Sequence, residues 1–276
     1  MKRIMNRLLA GLRLQEYIVF DPLTIVSLFP PRRFFGKIPK KLPERFIVLR
    51  SSRLKFLFST YGTLIEMLLG KSYFYHEDFI PRKGYIIFDV GAYVGHYSLI
   101  ATYLGAQVYA FEPIESNYRK LLYHIHVNKE LLSGVVIPIK VALGSFNGEV
   151  FMQISNATSH IVEGSESYGK YELLPEKKSL EKVSIMTLDK FVEEHSIRQI
   201  NILKIDVEGY EFEVLKGARK SIVSGRIHMI LSANYHFAEE DTLVSKFLEE
   251  HSYKKILTTP GPAWLGGGIS YYKLIR

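Results

Sequence analysis

From residue 85 to the end of the chain, short apolar runs alternate with stretches of helical spacing. This rhythm restricts the fold more than any other feature. "YIIFDV" reads as a strand and "GHYSLIATYL" as a helix. "AQVYAFEP" is a second strand halted at Pro113, and "ESNYRKLLYHIHVNK" a second helix. "VVIPIKVAL", "INILKIDVEG" and "IHMILSANYH" are further strands, the last two followed by the helices "YEFEVLKGARKSI" and "EEDTLVSKFLEEH". "YKKILTT" and "ISYYKLIR", joined by "PGPAWLGGG", read as an antiparallel pair. Such alternation predicts an α/β fold, with a doubly wound, mostly parallel sheet covered on both faces. Ligands of such sheets sit at the carboxyl ends of the strands, where strand order reverses. The segments to inspect are therefore Asp89–Gly95, Glu112-Pro113, Val141–Gly144, Asp206–Gly209 and Ser232–His236. An insert at about 145–180 is less regular, and Asn147-Gly148 within it predicts a hairpin turn.

The 276 residues suffice for one large core. There is no cysteine, which excludes disulfides and thiolate metal sites. The net charge of +8 is uneven: residues 1–60 hold 13 Lys/Arg against Glu16, Asp21 and Glu44, and the rest is slightly acidic. Ile4, Met5, Leu8, Leu9 and Leu12 share one face of a predicted basic helix over 1–18. That helix suits peripheral membrane contact through residues 1–20, or docking on its own protein. Residues 1–55 are read as a basic N-terminal extension and 56–276 as the main domain, with a helix at about 60–70. Arg7 and Arg13 interrupt the apolar start, so a cleaved export peptide is not expected, and no run is long enough to span a bilayer. The expected location is cytoplasmic.

Which ligand meets the first strand follows from its spacing. Asp89, Gly91 and Gly95 form D-x-G-x-x-x-G, not the G-x-G-x-x-G of dinucleotide dehydrogenases or a phosphate-binding Gly-Lys-Ser/Thr. The glycines let backbone pass close to a small ligand. Glu112 ends the second strand, where an acid typically holds both hydroxyls of a ribose. A nucleoside ligand with no need of a pyrophosphate cradle points to S-adenosyl-L-methionine as cofactor.

"FDVGAYVGHYSL", "YAFEPIESNYRKL", "VALGSFNGEV", "VSIMTLDKF" and "LKIDVEGYEFEVLKGA" occur in the order found in the FkbM family of S-adenosylmethionine-dependent methyltransferases, which the chain resembles over about 60–276. The resemblance implies a class I methyltransferase fold: a Rossmann-like, seven-stranded, mostly parallel sheet with an antiparallel C-terminal strand, here after an N-terminal helical extension. The terminal antiparallel pair also fits that class better than a dehydrogenase. By the resemblance, Asp89, Gly91, Ala92 and Gly95 form the cofactor loop and Glu112 the ribose-binding acid. Val141 and Ala142 flank adenine, and Asp206 and Glu208 face the transferred methyl. Tyr93 and Pro113 lie in the same cofactor segments. The sequence departs from the family at the fifth strand: "MILSANYHF" has Ser232 and Ala233 where the family commonly has a Glu, and His236 at shifted spacing.

Transfer to a hydroxyl, the usual family reaction, needs alignment, exclusion of water and a base. Asp206, Glu208 and His236, at strand ends on the binding edge, are the candidate bases. No metal is expected: Asp206 and Asn234 would begin an oxygen-ligand site, but Ala233 stands where a second acid is needed. Tyr93 and His96 either touch the cofactor's methionine end or pack on the loop. Tyr61, Glu66, Asn156, Thr158, Ser159, His160 and Trp264 are weaker candidates for covering the site or holding the acceptor. The predicted function is O-methylation of a small molecule, sugar or glycan. The alternatives are a nucleic-acid methyltransferase using the basic N-terminal segment, and a non-catalytic binding protein. Against the former, "DVEGYE" stands where an "NPPY"-type base-binding motif would follow the fourth strand.

Overall fold

The computed structural model describes residues 18–20, 46–49, 52–60, 63–64, 67, 73–154, 160–162, 179–233, 238–259 and 268–275. Before the alternating region lie strands β1 (Ile18–Phe20), β2 (Phe46–Leu49) and β3 (Lys55–Leu57). The body continues through β4 (Ile86–Val90), α1 (His96–Tyr103), β5 (Gln107–Phe111), α2 (Glu115–Asn128), β6 (Val135–Ile139), β7 (Ala142–Leu143), β8 (Gly148–Ile154) and β9 (His160–Val162). It ends with β10 (Ser179–Met186), α3 (Leu188–Glu194), β11 (Ile200–Ile205), α4 (Glu211–Gly217), α5 (Arg219–Val223), β12 (Ile227–Ala233), α6 (Ala238–Glu250), β13 (Tyr253–Thr258) and β14 (Ile269–Leu274).

The main sheet has seven strands in the order β13-β14-β12-β11-β4-β5-β6. The five strands from β12 to β6 are mutually parallel, and β14 runs antiparallel to both β12 and β13. This is the expected doubly wound sheet with its antiparallel C-terminal strand. Its central strands read as unbroken apolar runs because both faces are buried. One face carries Ile87, Val108, Ile202 and Leu231 against Tyr97, Leu99 and Ile100 of α1. The opposite face carries Phe88, Phe111, Leu203 and Ile230 against α3, α4, α5 and α6.

The period of two along a strand then fixes the polar positions. Asp89 follows Ile87 on the α1 face, Lys204 follows Ile202, and the register pairs Lys204 with Asp89 across β11 and β4. The acid and the base meet inside the sheet because two independent strands place them on the same face at the same height.

Residues preceding β4 complete the α1 face: Leu54, Phe56, Tyr73, Phe74 and Phe79 are all buried there. The domain boundary read at residue 55 falls inside β3. Buried side chains of α2 serve β3 as a substitute neighbouring strand. The Lys55 amide donates to Asn128 Oδ1 (2.7 Å), Asn128 Nδ2 donates to the Lys55 carbonyl (2.8 Å), and the Leu57 amide donates to His124 Nε2 (2.8 Å). The expected N-terminal helical extension is strand in its described residues: β1, β2 and the first residue of β3 belong to a three-stranded antiparallel sheet, β1-β2-β3. The predicted helix over 1–18, except Ile18, which opens β1, and most of that at 60–70 lie outside the described residues.

A second sheet has the order β7-β10-β8-β9 and corrects one expectation. The Asn147-Gly148 turn does not join two paired strands. β7 runs parallel to β10 and β8 antiparallel to it, so β10 lies between them. Asn147 instead accepts from the Thr187 amide through Oδ1 (3.1 Å), holding the turn to the start of α3. Among the described residues no helix is long and apolar enough to cross a membrane.

Candidate active site

Strand order reverses between β4 and β11. In an open α/β sheet, the crevice beyond the carboxyl ends of those two strands is the binding position. The loops that follow them, Gly91–Gly95 and Asp206–Gly209, are two of the segments singled out from the sequence.

The first loop is turned back over β5, with the amides of Gly91 and Ala92 both donating to the Phe111 carbonyl (3.1 and 2.9 Å). Gly91 has φ +75°, and a Cβ there would meet the Asp206 carbonyl oxygen at 1.9 Å. Glycine is therefore required twice over, by the dihedral and by the close approach of the two loops. The Gly95 amide closes the turn on the Ala92 carbonyl (2.8 Å), and α1 begins at once. Tyr93 (φ 53°) and Glu208 (φ 57°) both occupy the left-handed region that non-glycine residues avoid, one in each loop. Such strain concentrates at ligand-binding loops.

Asp89 is fully buried beneath this loop. Its Oδ2 accepts from Ser98 Oγ (2.6 Å), and its Oδ1 is 2.8 Å from the Lys204 ammonium. Lys204 also donates to the Gly91 carbonyl (2.9 Å), lies 4.0 Å from Asp206 Oδ2, and sits 5.4 Å from the centre of the Tyr73 ring. Burial pushes the ammonium pKa down, but Asp89, Asp206 and Glu112 more than offset this and leave it above its ordinary value. Asp206 takes a 2.5 Å hydrogen bond from the Tyr73 hydroxyl on Oδ2 and remains partly open to solvent. The loop after it is shaped by Glu211, a buried carboxylate at the start of α4, which accepts from the amides of Val207 (3.0 Å) and Gly209 (3.1 Å).

Glu112 stands at the end of β5, 5% exposed. Its Oε2 accepts from the Tyr93 amide (2.9 Å), and its Oε1 from the Ile114 amide (3.0 Å) and Asn117 Nδ2 (3.4 Å). Burial raises its pKa to about 7 against the opposing pull of these donors and of Lys204. The Tyr93 hydroxyl is in turn raised by burial and by the charge of Glu112. Pro113, Val141 and Ala142 are buried beyond the ends of β5 and β6, and the Glu112 amide donates to the Ile139 carbonyl (3.0 Å).

The expected residues thus gather as two neighbouring groups. Asp89, Gly91 and Asp206 meet around Lys204, while Glu112 meets Tyr93. His96 is not turned to the crevice. It is buried, its Nε2 lies 3.0 Å from Thr60 Oγ1, and burial with His124 and Lys204 nearby keeps its pKa well below the ordinary value. His236, Asn234, Tyr61, Glu66, Asn156, Thr158, Ser159 and Trp264 lie outside the described residues, as does the side chain of His160. Among the described residues no group of three acids or histidines could hold a metal ion.

Sequence reasoning missed Lys204, Tyr73 and Glu211. Lys204 carried a signal: an ammonium inside an otherwise apolar buried run, "INILKIDVEG", must face an anion. Glu211 lies within the quoted motif "LKIDVEGYEFEVLKGA", which gave it no role, and Tyr73 carried no signal that separates it from ordinary residues.

Residues 89–255, more than half of the chain, match the family described as the methyltransferase FkbM domain. The chain belongs to the FkbM methyltransferase family. The match begins at Asp89 and takes in both loops of the crevice. The hexuronic acid methyltransferase AglP of Haloferax volcanii is 27% identical over 165 residues, which cover 60% of this FkbM-family chain and 62% of that protein. The chain therefore spans less than two thirds of this relative's length. Among solved structures, Aeropyrum pernix fibrillarin with natively bound S-adenosyl-L-methionine overlaps 90% of this chain and 86% of its own, at TM-score 0.45 and 14% identity. Methanococcus jannaschii fibrillarin, a pre-rRNA processing protein, overlaps 87% of this chain and 86% of its own, at TM-score 0.46 and 13% identity. At such scores the fold assignment rests on strand order and not on these overlaps.

Proposed function

We propose that this FkbM-family protein transfers a methyl group from S-adenosylmethionine to a hydroxyl of a sugar or glycan. The observation that carries the reading is the pairing of the two loops at the switch point, Gly91–Gly95 against Asp206–Gly209, beside a buried acid at the end of β5. A sugar is preferred as acceptor because the relative AglP is named for a hexuronic acid.

The residues fit the cofactor. Each carboxylate oxygen accepts about two hydrogen bonds. Glu112 Oε2 takes one and Oε1 takes one short and one long bond, which leaves a free acceptor position on Oε2 for a ribose hydroxyl, and the long Asn117 bond is the one a second hydroxyl would replace. Gly91, Ala92, Tyr93, Val94 and Gly95 put no cationic side chain in the loop, as suits a ligand with a cationic sulfonium and no pyrophosphate. In this reading Pro113, Val141 and Ala142 wall the adenine side, and Asp89 holds the loop from below through Ser98 and Lys204.

When bound, the cofactor supplies an activated methyl group for in-line displacement. The chain's part is to place the acceptor oxygen on that line, exclude water and take up its proton. Asp206, with one oxygen held by Tyr73, receives the acceptor's O–H. Glu208 and His236 complete the proposed acceptor side.

The test is a screen of sugars and uronic acids with methyl-labelled cofactor, run on the wild type and Asp206→Asn. Labelled sugar is expected from the wild type. The variant should lose at least about a hundredfold in rate, the size of a lost acid–base contribution, with cofactor affinity retained. Failure of the wild type to bind S-adenosylmethionine in calorimetry would overturn the reading, and an unimpaired variant would remove Asp206 from it.

A further inference from the structure

We propose that Lys204 is a positioning residue for the cofactor, clamping the loop after β4 to the end of β11. The inference rests on the methyltransferase reading above and extends it to a residue inside the sheet.

The geometry supports a clamp in three ways. Lys204 is 3% exposed, so its ammonium has exchanged nearly all its water for protein groups. Those groups belong to different elements: the Asp89 carboxylate at the end of β4 (2.8 Å), the Gly91 carbonyl of the loop (2.9 Å), and the Asp206 carboxylate beyond β11 (4.0 Å). The Tyr73 ring covers the ammonium from the segment before β4. A charge-assisted bond to the Gly91 carbonyl sets the plane of the peptide that follows it. The Gly91–Ala92 peptide carries the amide that donates to Phe111, so its orientation aims the rest of the loop.

The charge of Lys204 also acts on Glu112, beside the clamp it makes on the loop. The groups facing Lys204 are Asp89 on β4, Asp206 after β11, Glu112 after β5, Tyr73 before β4 and His96 on α1. Those facing Glu112 are the amides of Tyr93 and Ile114, the Asn117 amide group, the Tyr93 hydroxyl and Lys204. Lys204 is the cation that the described residues bring to bear on Glu112, and it favours the carboxylate. Ribose hydroxyls are recognised by that carboxylate form. Without Lys204 the acid gives up its proton at higher pH, and the pH at which cofactor binding is half developed moves upward.

The experiment uses the full chain and the variant Lys204→Met, nearly isosteric and uncharged. S-adenosylmethionine affinity is measured by calorimetry from pH 6 to 9, and amide hydrogen exchange is followed in residues 91–95 and in α2. The expected result is about tenfold weaker binding at pH 7, a higher pH midpoint, and faster exchange in 91–95 with α2 still protected. Unchanged affinity and midpoint in the variant would overturn the proposal, as would exchange that accelerates equally in the loop and in α2. Should Lys204→Met fail to fold, Lys204→Gln is read in the same way. Failure of the wild type to bind the cofactor would instead overturn the functional reading, and loop exchange would still report on the clamp.

Discussion

The hydroxyl of Tyr73 donates to Oδ2 of Asp206 across 2.5 Å, joining a residue thirteen positions before β4 to the mouth of the crevice beyond β11. Tyr73 is 2% exposed and its ring packs edge-on to Tyr97, so the donor is held in place by its surroundings. It fixes one oxygen of Asp206 and so orients the carboxylate that is proposed to receive the acceptor. Tyr73→Phe keeps the ring and removes the donor. Stability should fall by about 1.5–3 kcal/mol, the usual cost of a lost hydrogen bond to a charged group. The rate should fall roughly tenfold, with cofactor affinity within about twofold. Thermal melts with initial rates at saturating cofactor check this, and an unaltered rate would show that Asp206 needs no such support.

Cofactor binding should depend on pH through Glu112. Its pKa of about 7 lies above the ordinary carboxylate value because it is buried. In the proposed binding mode a ribose hydroxyl donates to the carboxylate, so below about pH 7 the proton must leave first. Affinity is expected to rise about tenfold per pH unit up to that point and then level. Calorimetric titration across pH 5.5–8.5 reads the slope, and Glu112→Gln should flatten it.

The same group gives stability the opposite sign. Between its ordinary value of 4.5 and about 7, the folded protein holds a proton that the unfolded chain has released. The native state then binds more protons, so stability without cofactor falls as pH rises through this window. The fall attributable to Glu112 is roughly 3 kcal/mol in all and ends above it. Denaturant midpoints of wild type and Glu112→Gln should converge near pH 4.5 and separate by pH 7, the variant being the more stable. Parallel curves would show that Glu112 is ionised throughout.

Much of this was legible in the sequence because it is local. Strand–helix alternation, the D-x-G-x-x-x-G spacing and the acid ending β5 are read within a few residues, and the sheet and family followed from them. Glu211 apart, what escaped depends on partners far along the chain. Lys204 is explained by Asp89 only once the register of β4 and β11 is known, and Tyr73 by Asp206 only once the segment before β4 is placed against the end of β11. Asn147-Gly148 has the composition of a hairpin turn, yet β10, from well beyond the turn, lies between β7 and β8. His96 has the chemistry of a site residue and the position of one, but its ring is drawn into the packing around Phe56 and His124.

Glu211 offers a test of how the second loop is held. Its carboxylate accepts from the amides of Val207 and Gly209, on either side of the strained Glu208. Glu211→Ala leaves two amides to find other partners, at about 1–3 kcal/mol each where they remain buried. A loss of about 2–4 kcal/mol in denaturant unfolding is expected. The turnover rate should fall more than cofactor affinity does, since the loop carries Asp206 and not Glu112, the acid proposed to hold the ribose. Equal losses in both would mean that Glu211 supports the whole crevice.

The two loops should also be inseparable at Gly91, and a pair of glycine variants can show whether dihedral or contact is responsible. Gly84 (φ +84°) and Gly91 (φ +75°) both lie in the left-handed region. A Cβ on Gly84 meets nothing within 4 Å, whereas one on Gly91 meets the Asp206 carbonyl oxygen at 1.9 Å. Gly84→Ala therefore bears only the dihedral cost, about 1–2 kcal/mol. Gly91→Ala bears that cost and must also push the Asp206 backbone away from β4. It should be the less stable by a further ~2 kcal/mol or more, as backbone displacements in packed regions cost. Because the displaced backbone belongs to Asp206, this variant should lose methyl transfer even where it remains folded, while Gly84→Ala keeps the wild-type rate. Similar melting temperatures for the two would mean that the loops after β4 and β11 separate without cost, leaving the crevice with no fixed width for a cofactor to fill.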